Sequence, residues 1–368
     1  MQNIAILYGG KSVEHDISVL TALQVMQNLD KKKYNIIPIY QTHNCEFIIP
    51  DDYTNPKTYI GEVEKFKKVT FAYGKGEVIV KNLFKKRMKI DCAINCCHGN
   101  SGEDGTLNAV MNLAHIPITS SSILGSSTCM DKVIMKDIFK ANNINCVDYR
   151  LITADDDKES KLEEIVNALG FPLIVKPSNL GSSIGINKAT DLKSLSQAIE
   201  IAFYYDSRVI VEKCLENFKE INISCLGDTQ PEFSRLEQPL SWQNFLDFDK
   251  KYTDSHAKKI LDPNLGKGVI DEIKNISQKV WKIFDLSGVV RIDYMVKDDE
   301  VYINEINTIP GSLAFYLWKN KYDFFELLDK LIQIAISRFN RQNKHKYTFT
   351  SSVLADYKPN SMNKYAKR

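Results

Sequence analysis

The segments "VRIDYMV" (290–296) and "VYINEINTIPG" (301–311) decide the fold class, because together they have the pattern of two neighbouring strands. Apolar and polar residues alternate in them, and successive side chains of a strand point to opposite faces of the sheet. Glu305 and Asn307 therefore project from the same face, just before the Pro-Gly pair that ends the second strand. Two interpretations are open: a solvated edge strand, or a site for a hard cation, which prefers oxygen ligands.

The composition is typical of a globular protein, and the length predicts two or three domains. The chain has 368 residues, of which 43% are hydrophobic and 26% charged, and its formal net charge is +2. This small charge gives no electrostatic reason to expect a nucleic-acid or membrane-surface partner. No apolar segment reaches the roughly 18 residues of a membrane span, and "MQNIAILYGG" (1–10) lacks the basic region of a signal peptide. We therefore expect a cytoplasmic protein.

The cysteine pattern argues against zinc binding and disulfide bonds. The eight cysteines lie mostly in apolar runs such as "DCAINCCHGN" (91–100), without a C-x-x-C pair or a zinc-ligand spacing to the six histidines. Cys97 and His98 are adjacent on a predicted strand, so their side chains point apart and do not suggest a catalytic thiol with its base. We expect reduced, buried thiols.

The first part of the chain has the pattern of an α/β domain. A helical pattern after the first strand has one apolar face, formed by Val19, Ala22, Leu23 and Met26. A further helix is predicted at 105–114, and short apolar runs predict strands at 4–8, 36–40, 91–95 and 116–119. Alternating strands and helices favour a parallel sheet over residues 1 to about 118. Residues 45–90 are predicted to add further strands.

The rest of the chain predicts a second region with helices and well-separated strands. Residues 229–268 lack hydrophobic periodicity and predict a long loop. Helices are predicted at 130–141, from 269 to 283 and at about 322–340. Strands are predicted at 172–176, 208–212, 221–226, 289–296 and 301–306. The basic tail is expected to fray.

Two segments resemble phosphate-binding loops. "GGKS" (9–12) is similar to the end of a P-loop, but that motif needs a glycine where Ala5 stands. "VKPSNLGSSIG" (175–185) is the better candidate, because a strand delivers Lys176 and glycines let backbone N–H groups close on phosphate oxygens. Taken alone, this segment favours an ordinary Gly/Ser turn over a phosphate-binding loop.

Other polar residues at strand ends strengthen the nucleotide-binding hypothesis. Glu212 ends the strand predicted at 208–212 and offers an acceptor suited to an adenine amino group. Asp293 lies on the strand that precedes Glu305 and Asn307, so adjacent strands would bring three oxygen ligands together for Mg²⁺.

Five motifs in order resemble those of the D-alanine–D-alanine ligase family within the ATP-grasp superfamily. They are "GGKSVEHDIS" (9–18), "HGNSGEDGT" (98–106), "MDKVIMK" (130–136), "VKPSNLGSSIG" (175–185) and "RIDY…NEINTIPG" (291–311). The resemblance implies an α/β (α+β) protein with a three-domain ATP-grasp fold, whose N-terminal domain is a Rossmann-like parallel sheet. The implied units are an N-terminal substrate-binding domain (1–118), a central subdomain with the Gly/Ser loop (119–207), a C-terminal subdomain with metal and oxyanion sites (208–345), and a basic tail (346–368).

The family joins two D-alanines into D-alanyl-D-alanine for peptidoglycan precursor synthesis. ATP phosphorylates the carboxylate of one D-alanine, the amine of the other attacks this acyl phosphate, and ADP and phosphate are released. The resemblance therefore implies ATP and D-alanine as small-molecule partners and Mg²⁺ as the metal, with Mn²⁺ as an alternative. It also implies a homodimer.

The resemblance further implies roles for individual residues. The nucleotide would be bound by Lys132, Lys176, Ser182, Ser183, Glu212, Lys213, Leu215, Glu220 and Lys251, and the metal by Asp293, Glu305 and Asn307. The substrate pocket would include Glu14, which holds the first ammonium group, with His98, Ser312, Tyr316 and Leu317. The catalytic group would comprise Glu14, Ser182, Tyr252, Arg291 and Gly311, the last two as oxyanion donors. The loops 181–185 and about 238–256 are expected to close over bound ATP.

One position departs from the family pattern. In relatives, a serine that follows the Pro-Gly pair binds the second substrate's carboxylate. In this chain Tyr316 occupies the serine position when the sequences are aligned without a gap. Ser312 is the other residue whose hydroxyl could bind this carboxylate. The acceptor is consequently open between D-alanine and D-serine, D-lactate or another amino acid, although Tyr252 favours an amine. A third hypothesis is a nucleotide-binding protein without turnover. The presence of all the implied phosphate, metal and oxyanion ligands argues against it: Lys132, Lys176, Arg291, Asp293, Glu305 and Asn307.

Overall fold

The computed structural model describes residues 1–61, 63–82, 84–240, 259–346 and 348–355, whose strands form three sheets. The first sheet has the order β6-β5-β4-β3-β2-β1-β7. Its strands are β1 (Gln2–Gly9), β2 (Tyr34–Gln41), β3 (Phe47–Ile49), β4 (Lys67–Ala72), β5 (Glu77–Val80), β6 (Arg87–Lys89) and β7 (Cys92–Asn95).

The predicted parallel sheet is confirmed only around its first strand. β1 pairs in parallel with β2 and with β7, and Ile4–Tyr8 is buried, as parallel strands covered on both faces require. From β3 to β6 the pairing is antiparallel, so the sheet is mixed rather than purely parallel. The strand predicted at 116–119 is reduced to one isolated bridge between Ala93 and Ile118.

The helices include the five that the apolar patterns predict and three that they do not, at Ile123–Met130, Lys158–Leu169 and Leu192–Phe203. In chain order the helices are α1 (His15–Asn28), α2 (Thr106–Ala114), α3 (Ile123–Met130), α4 (Lys132–Ala141), α5 (Lys158–Leu169), α6 (Leu192–Phe203), α7 (Lys267–Ile283) and α8 (Phe324–Gln342). α4 begins after Asp131, whose carboxylate accepts hydrogen bonds from the N–H groups of Val133 and Ile134. The predicted face of α1 is confirmed, since Val19, Ala22, Leu23 and Met26 are all buried.

The second sheet consists of β8 (Tyr149–Thr153), β9 (Leu173–Pro177), β10 (Asn187–Ala189) and β11 (Arg208–Lys213), in the order β10-β9-β11-β8. β11 pairs with both β8 and β9. A domain boundary before residue 208 would cut through this sheet. We therefore propose that the boundary between the central and C-terminal units lies after Lys213.

The third sheet holds the two strands from which the sequence analysis began. It consists of β12 (Lys219–Gly227), β13 (Pro231–Pro239), β14 (Lys259–Leu261), β15 (Gly288–Lys297) and β16 (Glu300–Asn307), in the order β14-β13-β12-β15-β16. The long loop predicted at 229–268 is wrong where β13 and β14 form. β13 pairs with β12 on one side and β14 on the other, so cross-strand pairing outweighs its charged, non-periodic sequence.

One apolar cluster joins the beginning of the chain to its last helix. It includes Ile4 and Ile6 of β1, Val25 of α1, and Leu327 and Leu331 of α8. At its edge the Tyr34 hydroxyl donates a hydrogen bond to Asp329 Oδ1 at 2.6 Å. The first sheet is therefore covered by both early and late parts of the chain.

Two expectations about composition can be checked against the described residues. All eight cysteines are free thiols, and most are buried, although Cys45 is exposed. None of the helices in the described ranges combines the length and apolar character that crossing a bilayer requires.

Candidate active site

The three predicted metal ligands lie together where β15 and β16 pair. Asp293 is the register partner of Glu305, and Arg291 is that of Asn307. The Asn307 side-chain amide donates a hydrogen bond to Asp293 Oδ2 at 3.0 Å. A shift in register follows Asp293, as in a β-bulge, which commonly re-aims side chains near functional sites. β16 is an edge strand of its sheet, as the solvated-edge interpretation of Glu305 and Asn307 expected, but both residues are only half-exposed and their neighbour Asp293 is buried.

The Arg291 guanidinium forms a bidentate salt bridge with the Asp293 carboxylate. Nε and an η-nitrogen donate to the two carboxylate oxygens, each at 2.7 Å. Burial alone would lower the pKa of Arg291, but the Asp293 charge raises it well above its usual value. Arg291, the predicted oxyanion donor, therefore stays positively charged.

The donor set fits Mg²⁺ rather than a metal that prefers nitrogen or sulfur. In the described part of the chain no group of three His, Cys, Asp or Glu side chains is positioned to hold a metal. Asp293, Glu305 and Asn307 offer two carboxylates and one amide oxygen, and Mg²⁺ commonly completes such a set with phosphate oxygens and water. The residues present therefore suit a magnesium–nucleotide complex.

The Glu14 carboxylate is enclosed by two glycine-containing loops. Glu14 precedes α1 and is buried, and the Ser182 hydroxyl donates a hydrogen bond to its Oε1 atom. A Cβ atom at Gly181 would lie 2.4 Å from Glu14 Oε2, and one at Gly99 would lie 3.0 Å from it. A side chain at Gly181 would therefore displace the Glu14 carboxylate, and one at Gly99 would crowd both Ser12 Oγ, at 2.5 Å, and this carboxylate.

The Gly/Ser loop contains two consecutive serines with an unusual backbone conformation. Ser182 and Ser183 both adopt left-handed conformations, with φ of 55° and 60°. Other turns of this chain, at Lys85 and Asn217 for example, have non-glycine residues with a similar φ, so the predicted phosphate contact rests on the resemblance and on the nearby lysines. Lys132, the first residue of α4, donates to the Leu180 carbonyl at 2.7 Å and lies 3.9 Å from Glu305. This lysine connects the loop to the metal ligands.

The predicted adenine end of the nucleotide site lies on β11 and β12. Glu212 is buried and accepts a hydrogen bond from Lys176 Nζ at 2.7 Å, so the two predicted nucleotide ligands already contact each other. Lys213 is exposed, whereas Leu215 and Glu220 are half-buried. Glu212 and Lys213 end β11 in the second sheet, whereas Glu220 lies on β12 in the third sheet, so the predicted adenine ligands come from the connection between two sheets.

His98 lies in a short hydrogen-bonded chain between α1 and the segment after β16. Its Nδ1 atom lies 2.8 Å from the Ile309 carbonyl, and its Nε2 atom lies 2.8 Å from the Thr21 hydroxyl. Burial lowers the pKa of His98, although the Glu14 charge opposes this. A neutral ring that donates from Nδ1 and accepts at Nε2 fits both contacts. The Ser312 N–H donates to Thr21 Oγ1 at 3.2 Å and extends the chain to the acceptor pocket.

Glu103 is a site residue to which the sequence analysis gave no role. Its carboxylate accepts hydrogen bonds from the Gly99 N–H at 2.8 Å and the Ile309 N–H at 2.9 Å, which ties the two loops together. Burial, followed by the Glu14 charge, raises its pKa to about 8. Its position in the motif "HGNSGEDGT" could have suggested a role in the site. Its hydrogen bond to Ile309, which is 206 residues away, could not be predicted from the sequence.

The segment after Gly311 departs from regular structure at the acceptor position. Ser312, Leu313 and Ala314 have left-handed φ values of 49°, 53° and 48° within a 3₁₀ turn. Non-glycine residues pay of order 1 kcal/mol or more for this conformation, so the surrounding structure must hold them there. A Cβ atom built at Gly311 would meet no protein atom within 4 Å, so protein packing does not require the glycine.

The two residues that follow this turn differ in accessibility. Tyr316 is half-buried, and Lys259 Nζ lies 3.7 Å from the centre of its ring. Burial raises the pKa of Tyr316; the Arg291 charge opposes this and the nearby Glu237 carboxylate adds to it. The Leu317 side chain is fully buried in the core, which leaves only its backbone for a substrate contact. Lys251 and Tyr252 fall outside the described residues, as does most of the predicted closing loop.

Two family models match the chain. One is described as "D-ala D-ala ligase N-terminus" and covers residues 3–121; the other is described as "D-ala D-ala ligase C-terminus" and covers residues 138–333. Among similar sequences, a D-alanine–D-alanine ligase of Clostridium acetobutylicum is 37% identical over 349 residues, which are 92% of this chain and 99% of the relative. One of Thermosipho melanesiensis is 36% identical over 347 residues, which are 92% and 95% of the two chains.

Solved structures give the same picture. The D-alanine–D-alanine ligase from Coxiella burnetii superimposes with a TM-score of 0.81 at 27% identity, covering 93% of this chain and 96% of that one. The D-Ala:D-Ser ligase from Enterococcus faecalis has a TM-score of 0.79 at 27% identity, covering 91% and 99%. A ligase from Bacillus anthracis in complex with ATP has a TM-score of 0.68 at 26% identity, covering 93% and 99%.

Proposed function

The chain belongs to the D-alanine–D-alanine ligase family, and from this premise we propose that it joins two D-alanine molecules at the site described above. The reaction consumes ATP, passes through a D-alanyl phosphate and releases ADP and phosphate. The product, D-alanyl-D-alanine, is a precursor of peptidoglycan.

The contact between Glu14 and Ser182 carries this proposal. It joins the carboxylate before α1 to the Gly/Ser loop after β9, although the two residues are 168 positions apart. A buried carboxylate is suited to an ammonium group, and the adjacent loop is suited to phosphate oxygens. One site can therefore bring an amino acid together with the nucleotide that phosphorylates it.

The chain's own cations offset the charge of the reactants. A carboxylate must approach a polyphosphate, and positive groups are needed to reduce their repulsion. Lys132, which donates to the Leu180 carbonyl, and Lys176, on the strand that leads into the Gly/Ser loop, would contact the phosphates. Asp293, Glu305 and Asn307 would hold Mg²⁺, which neutralises phosphate charge when bound.

The second step needs stabilisation of a tetrahedral oxyanion. When the amine attacks the acyl phosphate, negative charge develops on the former carbonyl oxygen. Arg291 would donate to this oxygen from its position at Asp293, and the Gly311 N–H would donate from the end of β16. Thr21 and His98 would keep the Gly311 segment in place through Ser312 and Ile309.

The remaining features of the proposal rest on the family resemblance. ATP and D-alanine are the small-molecule partners, and Mn²⁺ is the alternative metal. Lys251 and Tyr252 would close the site from the loop that follows β13. The enzyme would act as a cytoplasmic homodimer.

A D-serine acceptor is the second candidate. It is favoured by the similarity to the D-Ala:D-Ser ligase structure and by the replacement of the family's acceptor serine with Tyr316. A tyrosine hydroxyl reaches further than a serine hydroxyl, so the acceptor pocket differs in shape.

A substrate panel distinguishes these acceptors. With D-alanine as the first substrate, ADP release is measured against D-alanine, D-serine and D-lactate as the second. We expect the highest kcat/KM for D-alanine, with the dipeptide product identified in each mixture, and L-alanine supplied without D-alanine serves as the control without activity. A higher kcat/KM for D-serine would replace the leading proposal by the second candidate, and no ADP release with any acid would refute both.

The acceptor hydroxyl gives a further prediction. If Tyr316 holds the second substrate's carboxylate, Tyr316→Phe loses one hydrogen bond to a charged group, worth about 1.5–3 kcal/mol, and raises the second KM roughly tenfold to more than a hundredfold. Ser312→Ala should then have little effect, and the KM for ATP should change in neither variant. The reverse pattern would assign the role to Ser312, and an unchanged second KM in both variants would contradict the hydroxyl hypothesis.

A further inference from the structure

Lys136 is a fully buried lysine in the "MDKVIMK" segment, and the proposed reaction gives it no role. It lies one turn after Lys132 on α4 and is only 1% exposed. Its Nζ atom lies 3.1 Å from Glu212 Oε1 and 6.0 Å from the centre of the Tyr149 ring. Lysine is almost never fully buried without a charged partner, so the contact with Glu212 accounts for its position.

Glu212 thus has two lysine partners, one on each oxygen. Lys136 approaches Oε1 from α4, and Lys176 approaches Oε2 from β9 at 2.7 Å. Burial alone would raise the pKa of Glu212, but the charges of Lys136 and Lys176 outweigh it and lower the pKa to about 2. The buried group as a whole carries one positive charge more than it needs for neutrality.

The second lysine beside Glu212 matters because Lys176 is also a predicted phosphate ligand. As a phosphate ligand it must direct its ammonium toward the nucleotide, which weakens its contact with Glu212. A buried carboxylate that loses its only counter-ion is strongly destabilised, because the desolvation of the charge is no longer offset. Lys136 cannot leave in the same way, because its side chain is closed off from solvent.

We propose that Lys136 is a positioning residue that serves as the permanent counter-ion of Glu212 and thereby frees Lys176 to bind nucleotide phosphate. The inference rests on the proposed function, because ATP is the ligand that draws Lys176 away. Lys136 itself touches neither substrate nor metal. Its contribution appears only with ligands that carry phosphate groups.

The test compares ADP with adenosine, which has the same base and ribose but no phosphate to attract Lys176. Their dissociation constants are measured by calorimetry for the full chain with Mg²⁺. In Lys136→Met we expect the affinity for ADP to fall about tenfold or more and that for adenosine to change less than about twofold. Lys140→Met is the matched control, because Lys140 lies one turn later on α4 and forms an exposed ion pair with Asp148 at 3.0 Å. It should leave both affinities unchanged.

A double variant keeps the inference testable if Lys136→Met does not fold. Lys136→Met/Glu212→Gln removes both charges, so no buried carboxylate is stranded. Lys176 then has no competing partner, and the ratio of ADP to adenosine affinity should equal or exceed that of the wild type. A lower ratio in the double variant would overturn the inference.

Two other outcomes of the single variant would also overturn it. Equal losses of ADP and adenosine affinity would mean that Lys136 only shapes the base pocket, and no loss would mean that Glu212 needs one lysine alone. Failure of the proposed function has a different signature, since the wild-type chain would then release no ADP in the presence of D-alanine.

Discussion

Replacing Glu305 by glutamine is expected to reduce turnover by about a thousandfold or more and to leave the fold intact. The Glu305 carboxylate lies opposite Asp293 in the strand register and 3.9 Å from Lys132. Glutamine has nearly the same shape but lacks the negative charge that a hard cation prefers in its ligand. The measurement is kcat for ADP release at saturating D-alanine and ordinary Mg²⁺, together with the melting temperature.

Glu300→Gln provides the matched control for this variant. Glu300 begins the same strand, β16, and is exposed far from Asp293. Its replacement should change neither kcat nor the melting temperature. Wild-type turnover in Glu305→Gln would remove Glu305 from the metal site.

The second large effect is expected for Arg291→Lys. Lysine keeps the positive charge beside Asp293, so the carboxylate is not left unpaired, but it lacks the planar fork that donates at 2.7 Å to both oxygens. The loss of one preorganised oxyanion donor typically reduces kcat by about a hundredfold or more. We expect this reduction in kcat with little change in the KM for ATP, measured by steady-state kinetics.

Arg235→Lys is the control for this substitution. Arg235 lies in the same sheet, on β13, and forms an ion pair with Asp262 at 2.7 Å on a more exposed surface. Exposed pairs contribute little, so kinetics and stability should remain close to wild type. If Arg291→Lys raised only the KM for ATP, the residue would act on nucleotide binding and not on the oxyanion.

The sequence predicted those parts of the fold in which local pattern and tertiary structure agree. β1, β7, β15 and β16 are continuous or alternating apolar runs, and each is central to its sheet or paired along most of its length. β13 was missed because its sequence, "PEFSRLEQP", includes a buried glutamate and offers no clean alternation. Its strand conformation comes from pairing with β12, which local sequence does not reveal.

The site was predicted to a similar degree, and for a similar reason. Ordered motifs identified the carboxylates and lysines, because each motif is local. The contacts between motifs were not predictable, and Glu103 is the clearest example, since it joins Gly99 to Ile309. The second lysine on Glu212 was also missed, because α4 and β11 meet only in the folded chain.

The apolar cluster that joins β1 to α8 has a consequence for the order of folding. During synthesis Ile4 and Ile6 leave the ribosome more than 300 residues before their neighbours Leu327 and Leu331 in the same cluster. Until then one side of the earliest sheet stays uncovered, and contacts between distant segments form slowly. β1 is therefore fully buried only after α8 has been made, and a nascent chain that stalls before α8 exposes an aggregation-prone surface that the folded protein hides.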